Sequence, residues 1–221
     1  MGTVSGFVEP ALRDEFPGLR LIWTSVDARV RGSSVEVKRR LRDLSDRYRG
    51  AGVVAMRTRP IPHAYRSFYR QVGLDPDAAR IPSEAAAVGR LLRGRFESRD
   101  ALADALLIAL VETGVPVWAL DATVVELSSL GIRTAVAGDR LGVAPDGLPL
   151  SDGQLVVADS VAVHATLFTE PSPDHVPGPR TRRIVLFAVG VDGVPAIHVE
   201  EALWLAVDVL RISVRRRRPS D

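Results

Sequence analysis

The sequence predicts an α/β (α+β) fold, and three features carry that expectation. Residues 33–113 hold apolar positions at helical spacing. Residues 115–191 hold short runs of apolar and β-branched residues between loops rich in Gly, Pro and Asp. An amphipathic stretch at 197–212 then returns to the helical period.

Taken in order, residues 19–26 read as a first strand. Ser33-x-x-Glu36 is a capping-box pattern, so a helix should follow. It places Val37, Leu41, Leu44 and Tyr48 inward and Lys38, Arg39, Arg40 and Arg42 on the other faces. Gly50 stops it, and a short strand is expected at 53–56. Pro62 opens a second helix in which Tyr65, Phe68, Tyr69 and Val72 make one apolar stripe. Arg66 and Arg70, four apart, share another face. Gly73 ends this helix, because glycine takes the left-handed stop without a Cβ clash. After Leu-Asp-Pro-Asp turns the chain, Ser83 is read as the cap of a third helix, with Glu84 at its positive end.

Ser98 or Asp100 should cap a helix over 100–113. Apolar residues nearly surround it, so it belongs deep in the core. Strands are expected at 115–120, 132–137, 154–158, 161–168 and 183–191. Asp159-Ser160 and Asp192-Gly193 read as tight turns. The last helix should bury Val199, Leu203, Ala206, Val207 and Leu210. Residues 1–212 are expected to form a single domain, and 213–221 a disordered basic tail.

At 221 residues and 46% hydrophobic, the chain is long enough to bury a core. It has no cysteine, which excludes disulfides and thiolate chemistry. The opening MGTVSGFVEP does not read as a signal peptide, and the apolar run 105–111 is too short to span a bilayer. A cytoplasmic location and no membrane partner are therefore expected.

The net charge of +2 hides an asymmetry. Residues 1–100 carry 19 basic and 12 acidic side chains, a balance of +7, whereas 101–200 carry 5 and 12, a balance of −7. A basic half suits a polyanion, although a charge run is usually a solvated face. Arg39, Arg40, Arg66 and Arg70 are the candidates for RNA phosphates.

Several enzyme classes drop out. There is no Walker loop, no G-x-S-x-G elbow and no G-x-G-x-x-G. His63, His164, His175 and His198 lack metal-ligand spacing, so neither a metal nor a cofactor is expected. Polar residues that a fold could gather remain. Ser83 and Glu84 act as capping residues or as pocket walls. Arg133 pairs with an acid or faces a ligand. His164 lies mid-strand, where a buried, satisfied histidine is common. Thr181 stands at a strand mouth.

The stretch YRSFYRQVGLDP with the later RIPSEA resembles the B3/B4 domain family. That domain is known from the beta subunit of phenylalanyl-tRNA synthetase and from small stand-alone proteins. Tyr65, Arg66, Tyr69, Arg70, Gly73, Asp75, Pro76, Ser83 and Glu84 match its motif. GVPVWALD at 114–121 resembles its Gly-Leu-Pro-hydrophobic strand. Asp104 falls at the family's helical acid, while Leu107 stands where the family carries Asn. The likeness covers roughly 60–210, is strongest over 64–121 and fades after 140.

The resemblance implies a three-layer domain with a β-sandwich-like core and helices packed outside. It implies tRNA-related binding. It also implies hydrolysis of mischarged aminoacyl-tRNA in trans, as the synthetase domain cleaves tyrosine wrongly esterified to phenylalanine tRNA; no ATP-dependent ligase activity is expected, because no motif resembles an ATP-using site. The pocket is expected where the Ser83 helix start meets the β-rich half, with Arg133, His164 and Thr181 on the opposite wall. None is a nucleophile beside a base, so a positioned water is expected and no covalent intermediate. The rival reading is a non-catalytic module that binds a small amino-acid-like ligand or a protein partner.

Overall fold

A computed structural model describes residues 2–48, 50, 52, 56, 58–143 and 147–214. The strand expected at 53–56 falls, apart from Met56, outside these residues, as does the tail from 215 onward. The fold is mixed α+β, with helices packed on two sheets.

The first sheet joins β1 (Val4–Ser5), β3 (Arg20–Asp27), β10 (Arg183–Gly190) and β4 (Val117–Asp121), in the order β1-β3-β10-β4 and all antiparallel. The second joins β2 (Phe7–Val8), β5 (Gly131–Thr134), β8 (Leu155–Ala158), β9 (Val163–Thr166), β6 (Arg140–Leu141) and β7 (Leu148–Pro149), in the order β2-β5-β8-β9-β6-β7. The helices described are α1 (Pro10–Glu15), α2 (Val35–Arg47), α3 (Pro60–Gln71), α4 (Pro82–Arg93), α5 (Ala101–Thr113) and α6 (Ala196–Val214).

Every residue of β10 after Arg183 is buried, because both faces of its sheet are covered. On one face Val199 of α6 sits against Gly190. On the other, Phe187 stacks on Trp118 with ring centroids 5.6 Å apart, and Trp118 meets Phe168. Ile132, Val157 and Ala165 of the second sheet join the same hydrophobic cluster. Ala135, Val156, Ala158 and Val163 form a smaller cluster of their own. α5 is deeply buried, as its apolar surround predicted.

Two expected caps are corrected. Ser34, not Ser33, caps α2, its Oγ accepting from Val37 N at 3.3 Å. Ser33 is drawn away by buried Asp104, which accepts from Ser33 Oγ at 2.5 Å, Ser98 Oγ at 2.6 Å and Arg99 N at 2.9 Å. α4 starts one residue before Ser83: Ile81 is its N-cap and Pro82 its first residue, so Ser83 sits too far in to cap. Asp100 does cap α5, accepting from the N–H groups of Leu102 and Ala103. The strands also shift. The one expected over 161–168 holds only as β9, and β1, β2, β6 and β7 went unread because two residues carry no period. Among the described residues no helix is long and apolar enough to cross a membrane.

Candidate functional site

The motif segment builds structure first. Arg66 turns inward instead of sharing an outer face with Arg70. Its Nη1 donates to both Glu84 oxygens at 3.0 and 2.9 Å, and its Nη2 to Asp77 Oδ1 at 2.9 Å. One guanidinium thus ties α3, the Asp-Pro turn and the start of α4 together. Burial opposes its charge, but Asp77 and Glu84 more than offset that and raise its pKa. The assignment of Arg66 to RNA phosphates is therefore corrected, since its charge is already matched inside the protein. Arg40 is also committed, with Nε and Nη2 on Glu112 of α5 at 2.8 and 2.6 Å. Arg39 and Arg70 are exposed. Glu84 serves Arg66. Ser83 Oγ is buried with no hydrogen-bond partner among the described residues.

The polar centre of the strand half is a chain of three side chains, Asp159, His164 and His175. Asp159 sits in the turn between β8 and β9, where its Oδ1 accepts from Val161 N and Ala162 N, both at 2.8 Å. Its Oδ2 accepts from Glu126 N at 2.6 Å and lies 2.9 Å from His164 Nε2. His164 Nδ1 lies 3.0 Å from His175 Nδ1. All three residues are buried, at 7%, 0% and 2% exposure in that order. Burial works against the Asp159 charge, yet the N–H groups of Glu126, Ala162 and Val161 and the His164 ring hold its carboxyl below the usual range. Burial, then the neighbouring His164, pushes His175 down; Asp174 and Asp159 pull the other way.

The loop carrying His175 is pinned at several points. Ser172 N bonds His164 O at 2.8 Å, and Asp121 N bonds His175 O at 2.8 Å. Thr181 Oγ1 donates to Asp121 Oδ2 and accepts from Gly178 N, closing the far end of the loop. Thr181 is thus a loop clasp. Phe168 opens the loop at φ +64°, a left-handed conformation rare for a bulky side chain. Tyr65, Phe68, Tyr69 and Trp118 surround its ring with centroids 5.3 to 6.1 Å away, which over-determines that conformation. The aromatic stripe of α3 therefore reaches the histidine loop through Phe168.

His175 and Asp159 line a cleft of ≈ 580 Å³ together with Arg133, Asp139 and Arg140. Arg133 pairs with Asp139, Nη1–Oδ2 2.5 Å and Nη2–Oδ1 3.1 Å. Ser83 lines a different pocket, of ≈ 280 Å³, with Tyr48, Arg59 and His198. The expected convergence of Ser83, Arg133, His164 and Thr181 on one cleft is corrected: Ser83 points elsewhere, and Thr181 is consumed by Asp121. In the sequence Asp159 reads only as a turn residue, and nothing assigns His175 a role. The available signal was a second histidine in the loop after a strand histidine, which says nothing about contact. Among the described residues no group of three or more His, Asp or Glu side chains is placed to hold a metal ion.

A second cleft, of ≈ 900 Å³, opens where β3 ends and α2 begins. Arg29, Arg31 and Arg182 line it with Ser33 and Ser34, and all three arginines are exposed. Asp27, the one carboxylate lining it among the described residues, is paired with Arg183 at 3.0 Å. No family model matches this sequence, and no curated protein matches it.

Proposed function

We propose that this protein is a stand-alone B3/B4-type protein that binds RNA, tRNA in particular, and hydrolyses mischarged aminoacyl-tRNA in trans. The observation that supports the binding is the cleft lined by Arg29, Arg31 and Arg182, where the only carboxylate among the described residues is already paired. Guanidiniums in a concave site attract phosphates and release their counterions, so binding should weaken steeply with salt. Exposed Arg39 and Arg70 extend the basic first half of the chain. The motif shared with the B3/B4 family supports the choice of tRNA, and a tRNA substrate goes with a cytoplasmic location.

The test is filter binding of phenylalanine tRNA at 50 and 200 mM salt, values at which phosphate contacts separate from others. Tight low-salt binding that Arg29→Ala/Arg31→Ala weakens about tenfold or more is expected. No binding at low salt, or binding indifferent to salt, would sink the reading and leave the non-catalytic module for an amino-acid-like ligand or a protein partner.

A further inference from the structure

We propose that Asp159, His164 and His175 form a relay that makes the outer nitrogen of His175 a general base, cleaving a carboxylic ester in the adjoining cleft. This deepens the hydrolytic half of the function proposed above and rests on it for the substrate class, an amino acid esterified to a ribose.

The argument is one of donors and acceptors. An ionised carboxylate only accepts, so His164 Nε2, 2.9 Å from Asp159 Oδ2, carries a hydrogen. The other nitrogen of a neutral imidazole is then an acceptor. His164 Nδ1 therefore accepts from His175 Nδ1 across 3.0 Å. That leaves His175 Nε2 with a lone pair, and it makes no hydrogen bond among the described residues. His175 lines the cleft, whereas His164, fully buried, does not. Two guanidiniums share the wall. Arg133 is neutralised by Asp139, but Arg140 has no ion pair among the described residues, and its Nε has no hydrogen-bond partner.

The chemistry balances with water alone as co-reactant. A water gives its proton to His175 Nε2 as its oxygen bonds to the ester carbonyl carbon. The carbonyl electron pair moves onto oxygen, and Arg140 faces the resulting oxyanion. The Nδ1 proton of His175 passes to His164 Nδ1, so the positive charge comes to rest against Asp159. When the intermediate collapses, the bond to the ribose oxygen breaks, and the proton returns through His175 to that oxygen. The products are the free amino acid and the unesterified ribose. His175 is the catalytic base; His164 and Asp159 are positioning residues that fix its tautomer and receive its charge.

The experiment uses the full chain and two esters, phenylalanine tRNA charged with tyrosine and tyrosine ethyl ester. Wild type should hydrolyse them faster than buffer, and His175→Gln should lose about 100-fold or more while its circular dichroism remains that of the folded protein. Adding imidazole to His175→Gly should restore part of the rate. Asp159→Asn should lower kcat and move the midpoint of the pH–rate profile to lower pH, because the base loses its compensating charge; a purely structural role would leave that midpoint in place. Arg140→Gln should lower kcat more than it raises KM. If neither ester is hydrolysed while tRNA still binds, this site is overturned and the RNA reading stands. If the ethyl ester is cleaved without any tRNA binding, the site stands and the RNA reading falls. Wild-type rates in His175→Gln overturn the proposal outright.

Discussion

Arg66 sits between two carboxylates with 7% of its side chain exposed, and the Glu84 side chain is 5% exposed. Removing one partner of such a pair strands the other charge in a low-dielectric interior. Arg66→Ala is therefore expected to cost about 3–5 kcal/mol of unfolding free energy, measured by urea denaturation. Replacing both partners, Arg66→Met with Glu84→Leu, should recover most of that loss, because no charge is then left buried. A second expectation at this scale concerns pH. Folding depresses the pKa of both His175 and Asp159, so the native state binds fewer protons than the unfolded chain. The stability they contribute is present above pH about 6.5 and is lost as pH falls, first through His175 and then through the carboxylate range. Melting temperature should drop between pH 7 and 5, and His175→Asn should flatten that slope. These residues also mark where sequence reading stops. Arg66 and Arg70 look alike at four-residue spacing, and only Glu84 and Asp77, brought over by a turn, decide which one goes inside. The relay draws its members from a turn, a strand and a loop, so no spacing announces it.

Helix starts separate the two serine-bearing segments. α5 has a side-chain cap in Asp100, which satisfies two otherwise free N–H groups. Asp100→Ala should destabilise the protein by about 1 kcal/mol. Ser83, two residues past the N-cap of α4, keeps a buried hydroxyl with no hydrogen-bond partner among the described residues. An unsatisfied buried hydroxyl costs free energy, so Ser83→Ala should be neutral or stabilising by up to about 1 kcal/mol, read from the same denaturation curves. A cost of about 1 kcal/mol in Ser83→Ala would mean that the hydroxyl has a structural partner after all. The helices were legible because apolar spacing and terminal glycines act over a few residues: Gly94 and Gly114 end α4 and α5 at φ +78° and +79°. The caps were less legible. Ser33 and Ser34 are neighbours, and the choice between them was made by Asp104, 71 residues from Ser33. The short strands of the second sheet, β2, β6 and β7, have two residues each, so no local pattern marks them.

At the scale of the whole molecule, charge and topology divide the labour. The first hundred residues carry +7 and the next hundred −7, and two of the three cleft arginines, Arg29 and Arg31, come from the first. The slope of log K against log salt should fall in magnitude by roughly 0.7 for each phosphate-binding arginine removed from the cleft, if the bound strand is single. Titrations of Arg29→Ala, Arg31→Ala and Arg182→Ala check this, and an unchanged slope would show that the cleft does not touch phosphate.

The central place of β10 has a consequence for how the chain is made. β10 lies between β3 and β4, and its partner Asp27 stands 156 residues before Arg183. A chain emerging from the ribosome displays β3 and β4 long before the strand that joins them exists. Each then presents a row of unpaired N–H and C=O groups, and the apolar side chains of Leu21, Ile22, Val117 and Trp118 have no cover. The sheet closes only when residues 183–190 arrive, late and after the whole stretch that carries β5 to β9, which makes folding slow and the nascent chain dependent on protection until then. A premature stop before Arg183 would release a product that holds two open edges and no means of sealing them.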